Sequence, residues 1–179
     1  MKRYVAALAL STLAFGAEAA LAPGAKAPNF TTEASLAGKT FSFTLSEALK
    51  KGPVVLYFYP EAFTSGCTVE AHEFAAAADD FTKAGATVIG LSHDRIDKLT
   101  KFSVSECRNK FAVGADADQV IMKAYDAVLK EDPTYSDRTS YVIAPTGEIL
   151  SSYTNMDHPR EHVTQTLATV RKWAAEHHH

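Results

Sequence analysis

Cysteine is scarce in this sequence: Cys67 and Cys107 are the only two among 179 residues. In an oxidising compartment two cysteines usually form one structural disulfide, so the count alone favours that ordinary role. A large excess of one charge is also absent, because 18 basic and 21 acidic residues leave a formal net charge of -3. This balance gives no reason to expect nucleic acid or an anionic membrane surface as a partner.

The apolar run at residues 4–16 is too short to cross a bilayer comfortably. It follows two basic residues and precedes the triplet Ala-Glu-Ala at 17–19, an order typical of a secretory signal peptide. We therefore expect a signal peptide at residues 1–19, with a cut possible as late as residue 22; a buried first helix is the alternative. The charge pattern is typical of bacteria, so the mature chain is predicted to be periplasmic and not inserted in the membrane.

The rest of the chain is expected to form one domain at residues 23–176. Hydrophobic residues make up 46% and charged residues 22%, which excludes a disordered chain. No internal repeat, low-complexity tract or long linker interrupts it. The three histidines at 177–179 are a possible remnant of a purification tag and do not bear on the fold.

The order of expected elements predicts the fold class. Residues 53–59 form a continuous apolar run rich in β-branched and aromatic side chains, as in a strand buried on both faces. A long helix is expected from residue 65 or 66 to about 84, and a second buried strand at 86–92. The other expected elements are strands at 40–44, 111–115, 139–144 and 148–153, and helices at 45–51, 97–109, 117–125 and 159–175. Early alternation of strands and helices followed by a hairpin predicts an α/β thioredoxin-like sandwich, with a mixed central sheet and helices on both faces.

The setting of Cys67 points away from a purely structural role. It lies at the start of the long helix that follows the buried strand at 53–59. A cysteine in the first turn of a helix lies among unpaired backbone N–H groups at the positive end of the helix dipole, and both favour the thiolate. Ser65 and Gly66 beside it argue against tight packing and for a backbone open to a ligand. The alternative is a small buried apolar residue in a helix turn.

Two stretches resemble a known family. The pattern Pro60-x-x-x-Thr64-x-x-Cys67 resembles the peroxiredoxin active-site motif, and residues 138–147 resemble the late strand on which peroxiredoxins place an arginine. The resemblance covers residues 25–173 and is greatest to the Q type, the bacterioferritin-comigratory proteins of the AhpC/TSA superfamily. It implies an antioxidant oxidoreductase that reduces hydrogen peroxide and organic hydroperoxides with a thiol, without a metal or organic cofactor.

The resemblance also implies roles for single residues. Cys67 would attack the peroxide and become a sulfenic acid. Arg138 would stabilise the thiolate and donate to a peroxide oxygen, unless it is an ordinary surface arginine. Thr64 would offer its hydroxyl to the peroxide, cap the helix, or do both. Pro60 would shield the thiolate from water, and Glu70 would either hold the arginine by a salt bridge or be a solvated residue on the helix surface.

The sequence leaves two routes open for resolution of the Cys67 sulfenic acid. Many Q-type proteins carry a resolving cysteine five residues after the nucleophile, where this chain has His72, to which we assign no role. Cys107 on the expected helix 97–109 could form a Cys67–Cys107 disulfide if the first turn around Cys67 unwinds. Otherwise Cys107 is a small buried hydrophobe and an external thiol resolves the enzyme. The expected reductant is a thioredoxin-like or other dithiol donor, and the expected state is a monomer or weak dimer.

Two other functions fit parts of the pattern. A thioredoxin-type oxidoreductase needs Cys-x-x-Cys at the strand-to-helix corner, but this chain has Thr64 in the place of the first cysteine. A non-catalytic periplasmic binding or chaperone module would hold Cys67 in a structural disulfide at rest. Mixing reduced protein with one equivalent of hydrogen peroxide and following thiol loss separates the three possibilities.

Overall fold

One mixed sheet organises residues 20–177, which are the residues that the computed structural model describes. Its strands are β1 (Thr31–Leu36), β2 (Lys39–Thr44), β3 (Val54–Phe58), β4 (Thr87–Ser92), β5 (Ala112–Ala115), β6 (Thr139–Ile143) and β7 (Ile149–Thr154). The helices are α1 (Leu45–Leu49), α2 (Ser65–Lys83), α3 (Ile96–Ser105), α4 (Val120–Ala124) and α5 (Pro159–His177). The strand order across the sheet is β2-β1-β5-β4-β3-β6-β7.

Strand β3 lies inside the sheet, between β4 and β6, and all five of its side chains are buried. Val55 and Tyr57 face an apolar cluster formed with α2, α3 and α5, whereas Leu56 and Phe58 face a second cluster formed with α1 and α4. Strands β4 and β5 continue the sheet in parallel, and β6 and β7 pair antiparallel. The prediction of a mixed sheet with helices on both faces is therefore confirmed.

The register of the sheet brings distant segments to one edge. Phe58 at the end of β3 pairs with Thr139 at the start of the antiparallel β6, and with Leu91 near the end of the parallel β4. The segment that follows β3, the segment that follows β4 and the residue that precedes β6 must therefore meet at this edge. Arg138 is that last residue, and it is brought next to the start of α2.

Three elements differ clearly from the sequence-based expectation, one of them α4, which begins at Val120 instead of residue 117. Strand β1 was not predicted; its sequence is largely polar, and it is held between β2 and β5 by antiparallel pairing. Helix α3 ends at Ser105, and it cannot continue to residue 109 because Arg108 and Asn109 adopt left-handed backbone with φ of 51° and 60°. Cys107 therefore lies in the turn after the helix and not on the helix itself.

No helix within residues 20–177 has the length and apolar character needed to cross a membrane. The expected signal peptide at residues 1–19 lies outside the described residues and stays a prediction.

Candidate active site

Cys67 is the third residue of α2 and is buried, with 2% of its surface exposed. Thr64 precedes the helix in extended conformation, and its carbonyl accepts from the N–H of Thr68 at 2.9 Å. The backbone N–H groups of residues 65–67 come before that bond and have no acceptor within the helix. No acidic side chain lies in this first turn. The sulfur therefore belongs to the first turn of α2, at the positive end of the helix dipole.

Arg138 provides a second positive group at the same sulfur. It is 3% exposed, so it is not an ordinary surface arginine. Its Nη2 donates to the Cys67 Sγ at 3.6 Å, its Nη1 donates to the Glu70 carboxylate, and its Nε donates to the Met156 carbonyl at 3.1 Å. Because the three donors have three separate acceptors, the guanidinium is held in one orientation toward the sulfur.

Glu70 is completely buried one turn after Cys67 and forms an ion pair with Arg138, so the alternative of a solvated surface residue is excluded. Burial raises the pKa of Glu70, and the charge of Arg138 in this direct contact opposes the rise. Since a buried carboxylate is stable only with a partner, the pair depends on both residues being present.

A neutral histidine lies behind this pair. His162 is fully buried, and its Nδ1 is 3.9 Å from the Glu70 Oε1. Its Nε2 donates to the Asn155 carbonyl at 2.9 Å, and Nδ1 accepts from the Ser140 hydroxyl at 2.7 Å. Burial lowers the pKa of His162 from 6.5 to about 4, and the charge of Arg138 contributes to the decrease. The histidine therefore stays neutral beside Glu70 near pH 7.

Gly66 makes the approach of the arginine possible. A Cβ at this position would lie 2.9 Å from the Arg138 Nη2, closer than real Cβ contacts. The space beside Gly66, which the sequence suggested for a ligand, is thus occupied by the Arg138 guanidinium.

The segment between β3 and α2 is held by the residues that follow β4. The buried Asp94 accepts from the backbone N–H of Ala62 at 2.7 Å and from the Ser92 hydroxyl at 2.8 Å. Lys98 joins Asp94 and Glu61, at 2.7 Å to each. Sequence reasoning missed these supporting residues, although polar residues directly after a buried strand parallel to β3 were the pattern that could have indicated them.

The same segment carries two of the predicted site residues. The exposed Thr64 donates its hydroxyl to the Glu61 carbonyl at 2.9 Å and forms no side-chain cap to α2. Its oxygen therefore keeps lone pairs that can accept from a substrate O–H group. Pro60 is half-buried, and its carbonyl accepts from the His93 Nδ1 at 3.0 Å. Phe63, with φ of 70° and 45% exposure, packs edge-on against Phe102.

Cys107 is fully buried in the apolar cluster that also contains Cys67, Tyr57 and Tyr59. Both cysteines are free, so the structural disulfide favoured by the cysteine count is not formed here. Burial raises the pKa of the Cys107 thiol well above its ordinary value, and the nearby Glu106 carboxylate adds to the increase. In this arrangement Cys107 is a neutral thiol and a poor nucleophile.

Known proteins resemble this chain in both sequence and fold. Residues 23–152 match the model of the AhpC/TSA family. The chloroplastic Peroxiredoxin Q of Triticum aestivum is 33% identical over 148 residues, which cover 83% of this chain and 66% of that protein. This chain thus spans slightly less than two thirds of the wheat protein. Peroxiredoxin Bcp of Xanthomonas campestris pv. campestris is 29% identical over 129 residues, 69% of this chain and 79% of that protein.

The fold is similar to that of Peroxidoxin BcpB from Mycobacterium tuberculosis, whose crystal structure gives a TM-score of 0.77. The two sequences are 28% identical, and the match covers 85% of this chain and 97% of that one.

Proposed function

The chain belongs to the AhpC/TSA family, and from that premise we propose that it is a thiol-dependent peroxidase of the peroxiredoxin Q type. Its substrates are hydrogen peroxide and organic hydroperoxides. The observation that carries the proposal is the 3.6 Å contact between the Arg138 Nη2 and the Cys67 Sγ at the N-terminus of α2. A guanidinium and a helix N-terminus both stabilise the thiolate, which is the form of cysteine that attacks a peroxide.

The first step is a displacement at oxygen. The Cys67 thiolate forms an S–O bond to one peroxide oxygen while the O–O bond breaks. The second oxygen leaves with the electron pair, takes a proton and becomes water or an alcohol. Arg138 and the free backbone N–H groups of residues 65–67 stabilise the negative charge that develops on the oxygens.

Thr64 orients the peroxide in this scheme. Because its hydroxyl hydrogen is directed at the Glu61 carbonyl, its oxygen is left to accept from the terminal O–H of the substrate. This is the reverse of the donor role that the resemblance implied. Pro60 has no backbone N–H, so its backbone can donate no hydrogen bond in this segment.

The second step joins the two cysteines. The Cys107 sulfur attacks the Cys67 sulfenic acid, and the S–O bond breaks as water leaves, giving an intramolecular disulfide. Cys107 is fully buried with a raised thiol pKa, so its thiol must become less buried before it can ionise and react. The turn after α3 and the first turn of α2 therefore open before the disulfide forms.

Thiol trapping tests both steps. Reduced protein is mixed with one equivalent of hydrogen peroxide, then unfolded and alkylated at successive times and analysed by mass spectrometry. We expect Cys67 to be lost first and Cys107 after it, with the formation of a bridge within one chain. Oxidation as slow as that of free cysteine would contradict the peroxidase. A Cys107 that stays alkylatable would instead indicate a one-cysteine enzyme with an external thiol as the resolver.

We also propose that the mature protein works in a bacterial periplasm as a monomer or weak dimer, and that a thioredoxin-like dithiol donor regenerates it. The support is the pattern of residues 1–19 and the resemblance to Q-type proteins. Cell fractionation with N-terminal sequencing of the mature chain tests the compartment, and sedimentation analysis tests the oligomeric state.

A further inference from the structure

A polar bridge joins the two segments that carry the cysteines. The His72 Nε2 lies 2.8 Å from the Glu106 Oε2 and donates to it. His72 is on α2, five residues after Cys67, and Glu106 directly precedes Cys107 in the chain. Their side chains are 36% and 18% exposed, so the contact is partly shielded from water.

The bridge closes a turn that carries backbone strain. The N–H groups of Glu106 and Cys107 both donate to the Phe102 carbonyl, at 2.9 and 3.0 Å. Arg108 and Asn109 then adopt left-handed conformations, which are costly for arginine and less so for asparagine. Cys107 thus lies in a strained turn, and Glu106, which directly precedes it, is hydrogen-bonded to His72 on α2.

Cys107 cannot leave the core without straining this bridge. Neighbouring Cα atoms are about 3.8 Å apart along the chain, so a shift of Cys107 by several ångströms carries Glu106 with it. A contact of 2.8 Å cannot follow such a shift and remain a hydrogen bond. Opening of the turn is therefore coupled to the loss of the His72–Glu106 contact.

We propose that His72 and Glu106 form a latch that sets the rate at which Cys107 reaches the Cys67 sulfenic acid. This inference rests on the proposed resolving role of Cys107. Neither latch residue touches the peroxide; both act on the position of Cys107. While the latch is closed, the sulfenic acid persists and can meet a second peroxide, which oxidises it to the sulfinic acid and leaves as water or alcohol.

The test compares His72→Ala, Glu106→Ala and the double variant with the parent protein. Rapid quenching with alkylation follows loss of the Cys67 thiol, formation of the disulfide, and the yield of sulfinic acid under excess peroxide. Loss of the Cys67 thiol should keep the parent rate. Disulfide formation should be about 2- to 5-fold faster, as expected for the loss of one partly exposed polar contact, and the sulfinic yield should fall. The double variant should match the single ones, because all three remove the same contact.

Two further variants separate the latch from general loosening of α2. His72→Lys again places a hydrogen-bond donor opposite Glu106 and should return the disulfide rate toward that of the parent. Arg171→Ala removes the 2.9 Å pair between α5 and Asp80 near the far end of α2, and it should leave the rate unchanged.

The outcomes also separate the two proposals. If the parent forms the disulfide and the latch variants form it no faster, the latch is wrong and resolution by Cys107 stands. If Arg171→Ala accelerates the disulfide as much as His72→Ala does, the effect is general destabilisation and the latch is again wrong. If Cys107 of the parent never joins Cys67, resolution by Cys107 fails and the latch fails with it.

Discussion

Replacing Arg138 by lysine keeps the positive charge and removes the geometry that directs it. The arginine serves three acceptors at once, with the Cys67 Sγ at 3.6 Å, the Met156 carbonyl at 3.1 Å and the Glu70 carboxylate. A lysine has one nitrogen and cannot reach the sulfur and the Met156 carbonyl together. Loss of one preoriented donor toward a developing charge costs about 2.7–4 kcal/mol in the transition state, so we expect peroxide reduction to be about 100- to 1,000-fold slower.

The assay is the second-order rate constant for oxidation of the Cys67 thiol by hydrogen peroxide, measured by rapid quench on reduced protein. Urea unfolding of the same sample checks that the variant is folded, because Glu70 loses part of its partner. Arg160→Lys is the matched control, since Arg160 forms an exposed pair with Glu73 at 2.9 Å, away from the sulfur. A folded Arg138→Lys protein with a rate within about threefold of the parent would refute the role given to the guanidinium.

Three more substitutions test the surroundings of the site. Gly66→Ala places a Cβ 2.9 Å from the Arg138 Nη2; we expect peroxide oxidation to slow about tenfold with little loss of stability, as measured by rapid quench and urea unfolding. The pKa of His162 is about 4 in the folded protein and 6.5 in the unfolded chain. The buried neutral histidine therefore stabilises the fold above pH 6.5, and this stabilisation is lost as the pH falls from 6.5 toward 4. The unfolding free energy of the parent relative to His162→Gln should therefore drop by about 2 kcal/mol between pH 7 and pH 5, and an unchanged difference would contradict the buried neutral state. Asp94→Ala leaves the Ala62 N–H without its 2.7 Å acceptor, so we expect a loss of about 1–3 kcal/mol in urea unfolding; a loss below that range would mean the segment is held by other contacts.

The parts of the fold that could be predicted are those with a strong local pattern. Strand β3 is a continuous apolar run, and α2 begins and ends within one or two residues of the expectation. The hairpin of β6 and β7 was indicated by the turn at Pro145-Thr146-Gly147. Strand β1 was missed because only Ala34 and Ser35 are buried and pairing with two neighbours holds it in place.

The candidate active site also has a part that could be predicted from the sequence and a part that could not. The setting of Cys67 at a helix N-terminus is local and could be read from the sequence. The environment of Glu70 could not, because its position on α2 allows either a solvated or a buried side chain. What decides between them is Arg138, which arrives through the register of β3 with β6. The contact of His72 with Glu106 depends on how α2 packs beside the turn after α3, and no local pattern encodes it.

In the proposed mechanism, the antiparallel pairing of β3 with β6 makes the reactivity of Cys67 a property of the finished fold. Cys67 and Arg138 are 71 residues apart in the chain and meet only when the two strands have paired. Contacts of such long sequence separation form slowly, because loop closure comes before any gain from the contact. An unfolded or newly made chain therefore carries an ordinary, slow thiol at position 67. The rate of peroxide consumption during refolding should thus report how fast the central sheet closes. An incompletely folded chain should be oxidised at Cys67 only slowly.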